Sequence, residues 1–346
     1  MSSPQGTDMT TVDFSKPRPL GPFDVPAVGL GCMNLSHAYG VSPTPEDAER
    51  LLRDALDAGV VHFDTAALYG FGANESLVGR VLSEHRDRIV LASKCGVTGV
   101  DGKRVIDGRP ETILRTVDES LQRLRTDMID LYYLHRLDGR VPVEESVGAL
   151  SELVASGKIR SIGLSEVSAD TLRRAHAVHP IAALQNEYSL WSRNPEMGTL
   201  DAARELGVTL VAFSPLARGF LTDSPPAPAS LPERDIRLNM PRFNAEHYPG
   251  NLELHARLAE LARVAGCTLP QLALAWVLSR SENIVAIPGT RSAAHLRENL
   301  SVLELDLPDD VLAAAGEILN AETVHGPRYN ANTLTEIDTE RCGAAG

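Results

Sequence analysis

The sequence lacks the features that mark several large classes of protein. No run of apolar residues approaches the ~20 needed to cross a bilayer, and residues 1–16 (MSSPQGTDMTTVDFSK) contain no apolar signal core. The four cysteines are widely spaced, and the ten histidines include no HExxH or comparable ligand set. We therefore expect a cytoplasmic protein with reduced thiols and no bound metal.

Positive charge is also scarce. Lys and Arg number 33 against 46 Asp and Glu, which leaves a formal net charge of −13. This balance argues against nucleic acid or an anionic membrane as the principal partner. The 346 residues, 43% of them hydrophobic, provide ample core. Such a length fits two ordinary domains or one α/β barrel, because barrels routinely exceed the usual domain size.

Strand and helix patterns alternate along the chain. Thr44 followed by Pro45 predicts a capped helix start, and Gly59 predicts its stop. Alternating elements require parallel strands joined by helical crossovers, and eight such units predict the α/β class and a (β/α)8 TIM barrel. A long loop (218–250) follows strand seven, and extra helices (293–300 and 308–319) follow strand eight. The predicted strands are residues 26–31, 60–64, 89–94, 128–135, 159–165, 181–186, 208–213 and 284–288.

The rival fold is an open doubly wound sheet with a dinucleotide-binding βαβ unit. The GLG sequence at 29–31 after one strand and Asp64 at the end of the next imitate that unit. Asn34 replaces its third glycine, however, and Pro43 and Pro45 prevent a helix from starting at residue 31. We therefore favour the barrel. Residues 17–335 are predicted to form this single domain, flanked by flexible segments at 1–16 and 336–346.

Three consecutive predicted strands end on different ionisable residues, Asp64, Lys94 and His135, and Tyr69 follows shortly after Asp64. Adjacent parallel strands would gather these groups at one sheet edge, where α/β enzymes place their active sites. Tyr69 is the natural general acid, since a neighbouring cation such as Lys94 favours the phenolate. Asp64 can hold Lys94, and His135 can hydrogen-bond a carbonyl oxygen. The alternative is a purely structural buried Asp64–Lys94 pair.

The later strand ends are polar in a different way. Ser165-Glu166, Gln185-Asn186 and Phe213-Ser214 offer hydroxyl, amide and aromatic groups, which suit a flat ring with an amide substituent. Ordinary loop polarity is the alternative explanation. After the last strand, Thr290-Arg291 runs into a helix and forms a candidate anion site. Together these features suggest reduction of a carbonyl by a nicotinamide dinucleotide.

The same segments resemble the aldo-keto reductases from about Leu20 to Tyr329. The QNEYSLWSR stretch is similar to a branch of bacterial and plant reductases that includes pyridoxal reductases. The resemblance implies a (β/α)8 barrel, a tetrad of Asp64, Tyr69, Lys94 and His135, NADPH as cofactor and a small aldehyde or ketone as substrate. The matching segments are GLGCM (29–33), DTAALYG (64–70), ASKCG (92–96), DLYYLHR (130–136), GLSE (163–166), QNEYSL (185–190), FSPLARG (213–219), IPGTR (287–291) and ENL (298–300).

The resemblance also implies binding roles. Ser165 and Gln185 would hold the carboxamide, and Phe213 would stack on the nicotinamide. Thr290 and Arg291 would take the adenosine phosphate, and Glu298 and Asn299 the adenine. Further implied cofactor contacts are Cys32, Met33, Asp64, Glu166, Ser214, Leu216, Arg218, Gly289 and His295. The implied substrate contacts are Met33, Tyr69, His135 and Trp191.

The chain departs from the family pattern at a few positions. Glu166 stands where many members have Asn, and Gly289 and His295 stand where many carry Lys and Arg. The phosphate grip would therefore rest mainly on Arg291. The proline-rich loop at 218–250 lacks periodic apolar residues, so we expect it to bury little and to act as a lid over the cofactor.

Two other functions compete with carbonyl reduction. Potassium-channel β subunits share this barrel and cofactor, which makes a regulatory subunit the main alternative. The intact tetrad and an N-terminal segment of only about fifteen polar residues disfavour it. A barrel isomerase or lyase without nicotinamide is a third possibility. The physiological carbonyl and the oligomeric state stay open.

Overall fold

The computed structural model describes residues 13–36, 38–100 and 103–341. The strands in this part of the chain are β1 (Arg18–Leu20), β2 (Phe23–Val25), β3 (Leu30–Gly31), β4 (His62–Asp64), β5 (Val90–Cys95), β6 (Val97–Val100), β7 (Lys103–Ile106), β8 (Ile129–Leu134), β9 (Ile159–Ser165), β10 (Ile181–Glu187), β11 (Thr209–Phe213) and β12 (Ile284–Ala286). The helices are α1 (Pro45–Asp57), α2 (Ala73–Leu82), α3 (Pro110–Leu124), α4 (Val143–Ala155), α5 (Ala169–Val178), α6 (Thr199–Glu205), α7 (Tyr248–Val264), α8 (Leu269–Ser279), α9 (Ala293–Leu300), α10 (Asp309–Ile318) and α11 (Ala331–Leu334).

Eight of the described strands form one parallel sheet. Their order is β12-β11-β10-β9-β8-β5-β4-β3. The two edges meet where Val28 forms a parallel bridge with Ala286, and Gly29 N donates to Ala286 O at 2.9 Å. The predicted (β/α)8 barrel is therefore confirmed, and the open doubly wound sheet is wrong.

The helices begin and end where local signals predict. The Thr44 side chain accepts a hydrogen bond from Asp47 N at 3.2 Å, and Pro45 opens α1. Gly59 follows the helix with a φ of +85°, which a residue with a side chain rarely adopts. Apolar residues of α1 then face the barrel as one buried stripe.

Two hairpins were not expected. The β1–β2 hairpin pairs antiparallel and buries Leu20 and Val25 against the inward-facing residues of the barrel. Thr209 Oγ1 donates to Pro19 O at 2.6 Å, which places this hairpin at the start of β11. The β6–β7 hairpin lies between β5 and α3 instead. Strands of three or four residues carry too little alternation to be recognised in a sequence.

The structure describes part of each end that was predicted to be flexible. Residues 1–12 and 342–346 lie outside the described residues. Phe14, however, is only 5% exposed and packs in the core. Near the other end, Asp338 accepts hydrogen bonds from Thr171 Oγ1 at 2.7 Å and Ser168 Oγ at 2.8 Å. Glu340 accepts one from Ala169 N at 2.7 Å. These carboxylates meet the free N–H groups at the start of α5, which ties residues 336–341 down.

The loop after β11 also buries more than its sequence pattern predicts. The Trp191 ring stacks on Phe220 at 4.5 Å between centroids and meets Phe243 edge-on at 5.6 Å. Both phenylalanines are buried. The expectation of little burial is therefore wrong, because irregular 3-10 turns such as Pro241–Phe243 place aromatic residues inward without any helical or strand period.

No single described helix is long and apolar enough to cross a membrane. Helices α7 and α8 together have the length and composition of a span, but they meet at 90°. The apolar residues of α8 are buried in the core of the barrel. Within the same described residues, no group of three or more His, Cys, Asp or Glu side chains could hold a metal ion.

Candidate active site

The four predicted tetrad residues come together at one end of the barrel. Asp64 ends β4, Lys94 lies near the end of β5, and His135 follows β8 directly. Tyr69 begins a 3-10 turn in the loop that leaves β4. Because these strands are parallel neighbours, their carboxyl ends meet at the same edge of the sheet.

Lys94 is the hub of the tetrad. Its ammonium donates to Asp64 Oδ1, to Thr65 O at 2.9 Å and to Tyr69 Oη at 3.3 Å. The side chain is fully buried. Burial lowers the pKa of Lys94, but the Asp64 carboxylate and the Tyr69 phenol outweigh it and leave the pKa above its ordinary value. The cation is thus held in its charged form against the phenolic oxygen.

The electrostatics of Tyr69 differ from the expectation. Burial raises the pKa of the Tyr69 phenol, and the opposing pull of the Lys94 ammonium does not cancel that rise. Tyr69 is therefore protonated at neutral pH. Since its oxygen accepts from Lys94, its own O–H hydrogen is available to a molecule in the adjoining cleft.

His135 lies against Tyr69, with ring centroids 5.9 Å apart and planes at 85°. Burial, and then the nearby cations Arg136 and Lys94, hold the pKa of His135 well below its ordinary value. The imidazole is therefore neutral at pH 7, with one N–H to donate. Its Nδ1 has no hydrogen-bond partner among the described residues.

A single deep cleft of about 780 Å³ adjoins the tetrad. Its volume is within the range of cofactor and substrate pockets. The predicted residues that line it are Met33, Asp64, Tyr69, His135, Ser165, Gln185, Phe213, Ser214, Leu216, Arg218, Gly289, Thr290, Arg291, His295, Glu298 and Asn299.

Three predicted contact residues do not line this cleft. Cys32 is fully buried, and its thiol faces Leu30 O at 3.7 Å. The Glu166 carboxylate binds Arg328 at 2.5 Å, so it faces the protein interior. Trp191 packs in the aromatic cluster described above. Tertiary packing sets the direction in which these three side chains point. That direction could not be inferred from the sequence motifs in or beside which they lie.

The middle of the cleft presents hydroxyl and amide groups. Gln185 Nε2 donates to Asp64 Oδ2 at 2.8 Å, which fixes the amide beside the tetrad. Ser165 Oγ accepts from Arg136 Nη1 at 3.2 Å. Phe213 ends β11 and is partly exposed to the cleft. The arrangement offers donors, acceptors and one ring face within a short distance of Tyr69.

The segment after β11 is strained. Ser214, Ala217 and Arg218 have φ values of +50°, +48° and +59°. Positive φ is uncommon for residues with side chains, and such strain is concentrated at functional loops. Of these three, Ser214 and Arg218 line the cleft.

The far end of the cleft is a turn that leads into α9. Ser292 caps α9 by accepting from His295 N at 3.4 Å, and Thr290 Oγ1 accepts from Ser292 N at 3.1 Å. Arg291 is exposed and donates to Tyr39 O at 3.3 Å and to Val41 O. A helix start with an arginine beside it is suited to bind an anion.

Several residues of the cleft were not predicted. They include Arg104, which lies in β7, and Arg136, Ile236, Arg237, Tyr329 and Glu336, which belong to loops and irregular turns that carry no periodic pattern. Arg136 alone had a signal, since it closes the DLYYLHR segment. The hydroxyl oxygens of Tyr39 and Tyr329 both accept from the Arg218 guanidinium, at 2.9 Å and 2.6 Å.

Comparison with known proteins agrees with this architecture. The model of the aldo/keto reductase family matches residues 27–320. The aldo-keto reductase yakc of Schizosaccharomyces pombe, whose name includes NADP(+), is 42% identical over 320 residues, 90% of this chain and 94% of that protein.

Solved structures show the same similarity. Glycerol dehydrogenase AKR11B4 from Gluconobacter oxydans has a TM-score of 0.82 at 29% identity, covering 92% of this chain and 99% of its own. An aldo-keto reductase from Klebsiella pneumoniae in complex with NADPH has a TM-score of 0.67 at 28% identity. The match covers 87% of this chain and 95% of the Klebsiella chain.

Proposed function

The chain belongs to the aldo/keto reductase family of oxidoreductases, and from this premise we propose that it reduces an aldehyde or ketone to the alcohol with NADPH, with Tyr69 as the proton donor. The observation that carries the proposal is the Tyr69 phenol. It is buried and protonated, is held by Lys94 and borders a cleft large enough for a cofactor and a substrate. A small-molecule carbonyl substrate and a cytoplasmic location belong to the same proposal.

The residues of the cleft fit a nicotinamide dinucleotide. Ser165, Gln185 and Phe213 line the cleft, where the first two would hold the carboxamide and Phe213 would stack on the nicotinamide ring. At the far end, Thr290 and Arg291 would hold the adenosine phosphate, with Glu298 and Asn299 near the adenine. When bound, the cofactor supplies the hydride that reduces the carbonyl carbon.

The remaining chemistry belongs to the chain itself. Neutral His135 and the Tyr69 O–H both hydrogen-bond the carbonyl oxygen and so polarise it. As negative charge develops on that oxygen, Tyr69 transfers its proton to it, which completes the alcohol. Lys94 stabilises the phenolate left behind, and Asp64 keeps Lys94 charged and in position.

The test is NADPH oxidation by the purified protein with aromatic, aliphatic, sugar and pyridoxal aldehydes. Tyr69→Phe keeps the ring but removes the proton, so kcat should fall by about 10²–10⁴-fold. NADPH affinity, followed by fluorescence, should stay unchanged. A variant that retains more than about a tenth of wild-type kcat, where chemistry limits the rate, would contradict the role of Tyr69.

A further inference from the structure

The cations that line the cleft differ in their partners. Arg104 pairs with Glu336, Arg218 with Glu187, and Arg237 with Asp235. Arg291 is held by backbone carbonyls at the far end. Arg136 likewise forms no ion pair with any carboxylate in residues 13–36, 38–100 and 103–341, but it lies beside the tetrad instead of at the far end.

Arg136 is fixed by one of its three nitrogens. Nη1 donates to His135 O at 2.6 Å and to Ser165 Oγ at 3.2 Å. Nε and Nη2 have no acceptor among the described residues, although the side chain is partly buried and lines the cleft. The planar guanidinium thus keeps two donor nitrogens for a ligand. Such a fork matches the geometry of a carboxylate.

Arg136 is also close to the reacting groups. It is bonded to the carbonyl oxygen of His135, whose ring touches that of Tyr69. Consistent with this position, its charge contributes to lowering the pKa of His135, after burial. A cation without a counter-ion in a partly desolvated cleft is costly.

We propose that Arg136 binds an anionic group of the substrate, so that the preferred substrates are aldehydes or ketones that carry a carboxylate near the carbonyl. This inference rests on the proposed carbonyl reduction. It adds a class of substrate and names the residue that selects it. The competing role for Arg136 is to position Ser165, which would affect cofactor binding with every substrate alike.

The experiment compares 4-carboxybenzaldehyde with its neutral methyl ester, which has a similar carbonyl and ring. Wild-type enzyme should show a higher kcat/KM for the acid. Arg136→Gln should lower kcat/KM for the acid by about ten- to a hundred-fold, mainly through KM, because a charge-assisted hydrogen bond is lost. The kcat/KM for the ester and the affinity for NADPH should change little. Arg136→Lys should retain part of the preference, since it keeps the charge without the fork.

Arg104→Gln is the matched control. Arg104 lines the same cleft but already pairs with Glu336, so its loss should leave the acid-to-ester ratio unchanged. Thermal melting of each variant checks folding. If Arg136→Gln and Arg136→Lys lower kcat/KM for the acid and for the ester equally and weaken NADPH binding, Arg136 positions Ser165 and the inference is overturned. It is also overturned if the wild type shows no preference for the acid.

Product binding separates this inference from the proposed function. Calorimetric titration of the NADP-loaded protein with 4-carboxybenzyl alcohol and its methyl ester needs no turnover. Tighter binding of the acid that Arg136→Gln abolishes supports the anion site, even if neither aldehyde is reduced, in which case the proposed reductase activity fails instead. Equal binding of acid and ester overturns the inference whatever the activity.

Discussion

Two buried groups of charges lie near the cleft, and they are built differently. In the tetrad, one ammonium meets one carboxylate and a phenol whose proton faces the cleft. The second group, the Glu187 cluster, consists of Glu166, Glu187, Arg218 and Arg328, and the phenol oxygens of Tyr39 and Tyr329 accept hydrogen bonds from its Arg218. A buried ion pair beside a phenol therefore does not by itself mark catalysis. The tetrad differs because the neutral imidazole of His135 lies against its phenol.

The Glu187 cluster joins segments that are far apart in the chain. Arg328 binds Glu187 at 3.0 Å and Glu166 at 2.5 Å, and Arg218 binds Glu187 at 2.5 Å. Burial raises the pKa of Glu187, but Arg218 and Arg328 outweigh it and hold that pKa far below the ordinary value. The cluster ties the ends of β9 and β10 to the loop after β11 and to the C-terminal segment.

The largest effect should come from Lys94→Met. The variant removes the cation from the phenol and leaves the buried Asp64 carboxylate without its cation, although Gln185 Nε2 still donates to it. We expect kcat to fall by at least about 10²–10⁴-fold. The free energy of unfolding should fall by about 3–5 kcal/mol. Single-turnover kinetics measure the fall in rate, and denaturant titration measures the fall in the free energy of unfolding. The exposed Lys103→Met is the control. Normal stability would mean that Asp64 finds another partner.

Arg328→Met should separate stability from chemistry. It removes the arginine that binds Glu166 and one of the two that bind Glu187, so the free energy of unfolding should fall by about 3–5 kcal/mol. Because Arg328 does not touch the tetrad, kcat of the folded enzyme should remain close to wild type. The exposed Arg297→Met should change neither quantity. A kcat loss comparable to that of Lys94→Met would erase the distinction between the two charge groups.

Arg291→Ala tests an exposed charge against the buried ones. We expect NADPH affinity to drop by about ten- to a hundred-fold while NADH affinity stays nearly constant, since a charge-assisted hydrogen bond to one phosphate is lost. Titration of both cofactors measures this. His295→Ala should have a smaller effect. If the affinities for both cofactors fall together, Arg291 acts through the carbonyls of Tyr39 and Val41 and holds the turn.

The smallest effect concerns the loop after β11. Its tip reaches the loop after β3, where Ile236 N donates to Ala38 O at 3.2 Å and Gly40 N to Asp235 Oδ2 at 2.7 Å. Hydrogen exchange near residues 235–240 should be fast without NADPH and slower with it. Amides around the buried Phe220 and Phe243 should be slow in both states. Equal protection of the tip in both states would contradict the proposed lid.

Much of the fold could be predicted because its signals are local. Helix α9 has the predicted bounds of 293–300, and α1 begins at Pro45 after the Thr44 cap as predicted. The tetrad could be predicted because ionisable residues end successive strands, and parallel strands must present their ends at one edge. The β1–β2 hairpin could not, since strands of three residues carry too little alternation to be recognised. The packed residues 336–341 could not, since their hydrogen bonds reach residues more than 150 positions away.

The sequence by itself determined the barrel, the grouping of Asp64, Tyr69, Lys94 and His135, and the family. Each follows from short-range sequence patterns. Any parallel eight-stranded barrel brings the residues at its strand ends to the same edge. Only the tertiary structure decided the electrostatic state of Tyr69, the inward turn of Glu166 and Trp191, and the unpaired guanidinium of Arg136. Those features depend on which side chains from distant parts of the sequence pack around each group. That packing sets how deeply the group is buried and which partner it meets.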